Sequence, residues 1–224
     1  MKPNTITNQE LFLTGHALYN DRLYDQALAT YQLISDKGAA AWFNMGCCAY
    51  RLNNYPEARL YWKRAERQAP TSLYYDIHYN MRFLDQQLGL PVIAPAKIEI
   101  VSNKMQYVPF WGLQLLFLSV WVYFFLLIKR WALYRRYGTV IALLSVQLLL
   151  GYLVWHRYRQ MHDVVVIAKE SVISLYAGAD KRYHVVGQVP SAAQMQRLCK
   201  CGDWYKVQYG ELIGWTHKDT CFDV

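Results

Sequence analysis

The side chains with the most versatile chemistry in this sequence belong to five cysteines and six histidines. Cys199 and Cys201 are separated by one residue, and His184 and His217 are the nearest histidines along the chain. Zinc sites use these residue types, but their cysteine pairs are usually separated by two to four residues, so this spacing is a weak signal. We therefore expect no metal site.

Motifs for catalysis are missing from the sequence. It contains no HExxH, no GxSxG and no glycine-rich loop that could hold a phosphate. The segments described below account for nearly the whole chain, so nothing remains to form a separate catalytic domain. We expect no catalytic residue, no cofactor and a function other than that of an enzyme.

The number of cysteines is odd, and their positions do not imply a framework of disulfides. Cys47 and Cys48 are neighbours in a predicted helix, where a disulfide between them would be strained. A pair among Cys199, Cys201 and Cys221 is compatible with an oxidising compartment, and the sequence does not choose one.

The net charge of +8 is distributed unevenly along the chain. Residues 1–108 contain 11 Lys and Arg against 9 Asp and Glu, and residues 156–224 contain 9 against 7. The short stretch 129–137 contributes 4 positive charges and no negative one. Because neither long segment is strongly basic, the composition argues against nucleic-acid binding.

Two long apolar runs dominate the middle of the chain. Pro109–Ile128 and Gly138–Trp155 contain no charged residue, and at about 1.5 Å per helical residue each approaches the roughly 30 Å of a bilayer core. They predict transmembrane helices at 108–128 and 138–156, joined by a basic bridge at 129–137, in a multi-pass protein of the bacterial inner membrane.

The charges flanking these runs bear on orientation. The positive-inside rule puts the basic bridge in the cytoplasm and favours the periplasm for both soluble modules. The first residues show no basic region followed by an apolar one, so no signal peptide is visible to export the first module. The absolute topology stays open, but two spans leave both modules on the same side of the membrane.

Residues 7–89 have helical periodicity with an internal repeat. Small residues such as Gly15 let two helices approach closely, and large ones such as Tyr31 fill the space between helix pairs. The pattern resembles the tetratricopeptide repeat, which implies binding of peptides or other proteins. The residues that carry this resemblance are Gly15, Ala27 and Tyr31 in a first, shorter repeat, and Trp42, Gly46, Ala58, Trp62, Ala65 and Pro70 in a second.

A final helix at 71–88 has no partner helix, and Asn80 stands where the repeat has its glycine. We expect it to cap the array, with a groove lined by Tyr74, Tyr75 and Tyr79 as the alternative. Residues 90–107 contain prolines and no helical period, so they predict an extended linker.

Short alternating runs separated by turn residues predict strands in residues 163–224. Gly202-Asp203-Trp204-Tyr205-Lys206-Val207, Gly210-Glu211 and Gly214-Trp215 resemble the signature of bacterial SH3 domains, which implies a small all-β barrel. The resemblance suggests a shallow groove for protein segments or cell-wall peptides, against the simpler reading that the tryptophans are core and rim residues. The groove residues would be Tyr176, Trp204, Tyr205 and Trp215.

The order of these modules resembles that of the BatE proteins of bacterial aerotolerance operons. The expected fold class is a multidomain membrane protein with an all-α tetratricopeptide-like repeat, a two-helix transmembrane hairpin and a small all-β SH3-like barrel. The resemblance implies a membrane-anchored scaffold whose partners are protein, with von Willebrand A-type membrane proteins and a MoxR-type ATPase as examples, and membrane lipid. The alternative is a peptidoglycan-binding or envelope-stress sensing protein; the partner and the oligomeric state stay open.

Overall fold

The computed structural model of the protein describes residues 7–91, 110–129, 137–162 and 164–224. The linker expected at 90–107 and the basic bridge expected at 129–137 lie almost entirely outside the described residues. The helices are α1 (Asn8–Asn20), α2 (Tyr24–Gln32), α3 (Ala39–Arg51), α4 (Tyr55–Glu66), α5 (Thr71–Leu88), α6 (Phe110–Lys129) and α7 (Tyr137–His162). The strands are β1 (Val165–Ala168), β2 (Val172–Tyr176), β3 (Val185–Pro190), β4 (Gln194–Cys201), β5 (Trp204–Tyr209), β6 (Leu212–His217) and β7 (Cys221–Asp223).

Local sequence sets the ends of the helical region. At the start of α1, the Thr7 side chain accepts a hydrogen bond from the Glu10 backbone N–H, and the Glu10 carboxylate accepts one from the Thr7 N–H at 2.8 Å. This reciprocal capping satisfies donors that a helix start leaves free. At the other end, α5 stops at Gly89, whose φ of 64° is a left-handed conformation that glycine adopts without strain.

The first four helices form two pairs, α1 with α2 and α3 with α4. In each pair a glycine faces a large aromatic ring. A Cβ on Gly15 would lie 2.8 Å from the ring of Tyr31, and one on Gly46 would overlap the ring of Trp62. Tyr31 and Trp62 are buried, as are the small residues Ala27, Ala58 and Ala65. The repeated glycine therefore permits the close helix contact that buries the aromatic ring.

The strands form an antiparallel sheet in the order β3-β2-β6-β5-β4-β1-β7. One face of this sheet forms a hydrophobic core because inward and outward side chains alternate along each strand. In β5, for example, Tyr205 and Val207 are buried while Trp204 and Lys206 are half-buried. The core includes Val166, Ile173, Leu175, Val189, Met195, Tyr205 and Val207. A helical repeat region and an antiparallel β-sheet domain are thus both present.

These two regions share their cores. The described parts of residues 1–94 and 164–224 form one compact unit, in which β1 contacts α4. Ile167 of β1 is fully buried in the helical core, and Phe222 and Val224 pack against that core. In return, Leu90, just beyond α5, is buried in the core of the sheet. The β-sheet domain therefore covers the end of the helical array.

The described part of residues 95–163 forms a second unit, in which α6 and α7 pack against each other. No helix among the described residues is both long enough and apolar enough to cross a bilayer. The expected transmembrane hairpin, and with it the multi-pass inner-membrane location, is therefore wrong. The two runs do form helices, and Gln147 is buried between them: it lies in α7 and donates a hydrogen bond to the Phe117 carbonyl of α6 at 3.3 Å.

Candidate protein-binding surfaces

An exposed row of aromatic side chains runs along α5. Tyr75, Tyr79 and Phe83 are 50%, 64% and 50% exposed. Residues four apart lie on one face of a helix, so these three rings form a continuous aromatic stripe. Large apolar rings exposed together on a helix are a common mark of a protein-binding surface.

Helix α3 borders the aromatic stripe. The ring of Phe83 packs edge-on against Tyr50 of α3, with 6.3 Å between ring centroids. The Tyr50 hydroxyl donates to Gln87 of α5 at 2.6 Å, and Asn80 of α5 donates to the Cys47 sulfur at 3.8 Å. These contacts hold α5 beside α3, so the stripe and the half-buried residues of α3 lie along the same side of the array.

The sequence anticipates only part of this stripe. Tyr75 and Tyr79 are exposed as a groove requires, whereas Tyr74 is 5% exposed and its ring packs at a tilt against His78, with 4.0 Å between ring centroids. Tyr74 therefore belongs to the packing of the helices. Phe83 was missed, although its spacing of four residues from Tyr79 is the signal that identifies it.

A half-buried polar cluster joins α5 to α4. The two carboxylate oxygens of Glu66 in α4 contact Lys63 and His78, each at 2.6 Å. Burial raises the pKa of the Glu66 carboxyl, but the charge of Lys63 and the hydrogen bond from His78 outweigh it and lower the pKa to about 2. Glu66 is therefore ionised at neutral pH, and its hydrogen bond with His78 links α4 to α5.

The outer face of the sheet carries a second aromatic cluster. Directly opposite residues on paired strands project to the same side, and the register pairs Trp204 with His217, Lys206 with Trp215, and Tyr176 with Trp215. Trp204 packs edge-on against Tyr176 at 5.8 Å and against His217 at 5.5 Å between ring centroids. We call Tyr176, Trp204, Trp215 and His217 the outer aromatic face.

Tyr205 does not belong to this face, which corrects its assignment to the groove. It is 4% exposed, and its hydroxyl donates to the Asp223 carboxylate at 2.8 Å. Arg197 contacts the same carboxylate at 2.9 Å. Because adjacent residues in a strand face opposite sides, Tyr205 instead fastens β7 to β5.

The cysteines are all free thiols. Burial raises the pKa of Cys47 to about 11, of Cys48 to about 12 and of Cys221 to about 11, whereas Cys199 and Cys201 are exposed. Within the described part of the chain, no group of three or more His, Cys, Asp and Glu side chains is placed to hold a metal ion. His184 and His217 therefore do not complete a zinc site with the Cys199 and Cys201 pair.

Comparison with known proteins supports the helical part of this description. The family model of the tetratricopeptide repeat matches residues 39–72, which cover α3, α4 and the start of α5. No curated protein matches the chain. The match covers the second of the two repeats predicted from the sequence, and tetratricopeptide repeats generally mediate binding of protein partners. The helical region is thus similar to a known protein-interaction module.

Proposed function

We propose that this protein is a scaffold that binds protein partners and catalyses no reaction itself. The observation that carries the proposal is the aromatic stripe of Tyr75, Tyr79 and Phe83, which remains exposed on the helix that follows the matched repeat. Aromatic side chains contribute large contact areas at low cost in conformational entropy, so they often dominate the energy of binding.

The surroundings of the stripe favour a peptide with both apolar and acidic residues. Arg82 is exposed on α5 within the stripe, and Arg51 is exposed at the end of α3 beside Tyr50. Guanidinium groups pair with carboxylates and also stack on aromatic rings. The proposed ligand is therefore a segment whose apolar side chains cover the stripe and whose acidic side chains meet these arginines.

A direct test starts with peptides selected from a random display library on the full-length protein, followed by calorimetric measurement of their affinity. Tyr79→Ala should weaken a selected peptide by about tenfold or more, the usual effect of truncating an aromatic hot spot. Leu33→Ala, which removes another exposed apolar side chain at the end of α2, should leave the affinity unchanged. Equal affinities of the wild type and Tyr79→Ala for every selected peptide would refute the proposal.

The outer aromatic face supports a second proposed binding surface, in line with the SH3-like reading of the β-sheet domain. Its rings are half-buried and lie across β2, β5 and β6, an arrangement suited to an extended peptide. Trp215→Ala should abolish binding of such a peptide while Tyr183→Ala, at an exposed tyrosine outside this face, should not. Sedimentation of the full chain with purified peptidoglycan, lost in Trp215→Ala, would instead favour the cell-wall alternative.

The resemblance to BatE proteins supplies the first partners to test. The combination of a tetratricopeptide match with a β-sheet domain supports this resemblance. A von Willebrand A-type protein and a MoxR-type ATPase are therefore the proposed partners, and each can be titrated in purified form. Binding that is weakened by Tyr79→Ala would connect the partner to the aromatic stripe, and no binding of either would leave BatE membership without support.

A further inference from the structure

Two exposed thiols stand side by side on the outer face of the sheet. Cys199 and Cys201 are two residues apart in β4, and both are free and exposed. In the ladder with β5, Cys199 lies opposite Lys206 and Cys201 lies opposite Trp204. Residues two apart in a strand project from the same face, so both thiols extend the outer aromatic face by one strand.

A β-bulge is responsible for this placement. Arg197 pairs with Val207 and Cys199 pairs with Lys206, so Leu198 is an extra residue in β4. An extra residue reverses the inward and outward alternation beyond it. Without the bulge, Cys199 would stand opposite the inward-facing Tyr205. The bulge therefore directs both thiols to the exposed face.

The geometry of a strand disfavours a disulfide between these thiols. Two residues in a strand span about 6.6 Å between Cα atoms, and the Cβ atoms, being on one face, are separated by a similar distance. A disulfide needs Cβ atoms roughly 3.5 to 4.5 Å apart. By contrast, a metal ion bound to two sulfurs at about 2.3 Å each separates them by about 4.6 Å. Each sulfur lies one bond beyond its Cβ atom, so rotation about χ1 allows the two sulfurs to reach that distance.

We propose that Cys199 and Cys201 form a two-thiolate binding site for a soft monovalent metal ion, of the Cu(I) class. Soft thiolate ligands select Cu(I), which accepts two ligands, whereas structural zinc sites need four. Binding converts two thiols to metal-bound thiolates, and their two protons pass to solvent with no change in oxidation state. The complex carries one net negative charge, which Lys206, opposite Cys199, offsets.

The remaining cysteines are poor competitors for the ion. Cys48 and Cys221 are buried, Cys47 is partly buried, and burial keeps their pKa values near 11 or 12, so these thiols stay protonated at neutral pH. A metal ion binds the thiolate form. This site is separate from the aromatic stripe on α5 and goes beyond the proposed scaffold function.

The test uses the reduced full-length protein without oxygen and Cu(I) as the probe, in competition with a chromogenic Cu(I) chelator. The expected result is one tightly bound Cu(I) per chain, with quenching of tryptophan fluorescence because Trp204 adjoins Cys201. Cys199→Ser and Cys201→Ser should each lose the complex while circular dichroism shows an unchanged fold. Both cysteines are exposed, so these variants are expected to remain folded.

A displaced-thiol variant provides the matched control. Cys199→Ser combined with Lys200→Cys keeps the number of thiols but puts neighbouring thiols on opposite faces, so it should not form the complex. The proposal would be overturned if the wild type failed to bind Cu(I). It would also be overturned if the displaced-thiol variant, or the double variant Cys199→Ser with Cys201→Ser, bound Cu(I) as tightly as the wild type. A disulfide between Cys199 and Cys201 in protein purified under air would contradict its geometric basis.

Discussion

Arg59 of α4 and Asp85 of α5 form an ion pair whose side chains are only 4% and 6% exposed. The pair lies where the helical array meets the sheet, because both charges are close enough to Tyr209 of β5 to change the pKa of its hydroxyl. Burial raises the pKa of the Tyr209 hydroxyl, Arg59 lowers it and Asp85 raises it further. Two opposite charges are thus buried together at the junction between the helical and β-sheet regions.

Breaking this pair from one side should destabilise the protein strongly. Asp85→Asn leaves the Arg59 charge buried without a counterion, which typically costs about 3 to 5 kcal/mol. Urea unfolding followed by circular dichroism measures the loss. The double variant Arg59→Met with Asp85→Leu should recover most of it, because a buried pair can often be replaced by apolar side chains.

The matched control for this prediction is Asp76→Asn on the same helix, where the side chain is exposed. Its free energy of unfolding should stay within about 0.5 kcal/mol of the wild type. A loss of equal size in Asp76→Asn and Asp85→Asn would mean that the buried ion pair has no special role.

A methyl group at Gly46 should destabilise the second helix pair. The Cβ of Gly46→Ala would overlap the buried Trp62 ring, and overpacking of this kind costs about 1 to 3 kcal/mol. Gly38→Ala serves as the comparison, because a Cβ there meets nothing within 4 Å. Thermal unfolding of both variants measures the effect. We expect a clear drop in Tm for Gly46→Ala and none for Gly38→Ala.

The shared core predicts that the helices and the sheet unfold together. Ile167 of β1 is fully buried in the helical core, so Ile167→Ala should cost about 2 to 5 kcal/mol. Helical circular dichroism and the hydrogen exchange of strand amides, both followed in urea, should report the same shifted midpoint. Ile213→Ala, at an exposed position of β6, should shift neither signal, and separate midpoints in Ile167→Ala would show that the regions are independent.

Glu66 should make the stability of the protein depend on acid pH. Its pKa is lowered from 4.5 to about 2 in the folded protein, because Lys63 and His78 outweigh the effect of burial. A lowered carboxyl pKa stabilises the fold at pH values above 4.5, and this contribution of a few kcal/mol at most is lost as the pH falls from 4.5 towards 2. Urea unfolding at several pH values between 4.5 and 2 measures this change in the free energy of unfolding.

Glu66→Gln should remove this part of the pH dependence, because the amide does not titrate. The variant should be less stable than the wild type at pH 7 and closer to it near pH 2. Glu57→Gln in the same helix controls for a change of charge alone. A wild type and a Glu66→Gln variant whose stabilities fall in parallel between pH 4.5 and 2 would contradict the assignment.

The helical repeat and the strands of the β-sheet domain were predictable because the sequence patterns that indicate them are local. Gly46, Ala58 and Trp62 recur at the spacing that a pair of packed helices requires, and the family match at residues 39–72 supports this repeat. Strand alternation similarly locates β5 and its buried Val207. The apolar runs at 109–128 and 138–155 correctly predicted helices but not their setting, because no helix among the described residues is both long enough and apolar enough to cross a bilayer.

The sequence by itself determined where helices and strands form, because periodicity and turn residues act over a few neighbouring positions. Only the tertiary structure decided which faces are covered. Phe222 and Val224 pack against helices more than a hundred residues away in the chain, Tyr205 turns inward to Asp223, and the bulge at Leu198 turns Cys199 outward. Each depends on contacts between distant segments, and local patterns carry no information about which distant surfaces meet.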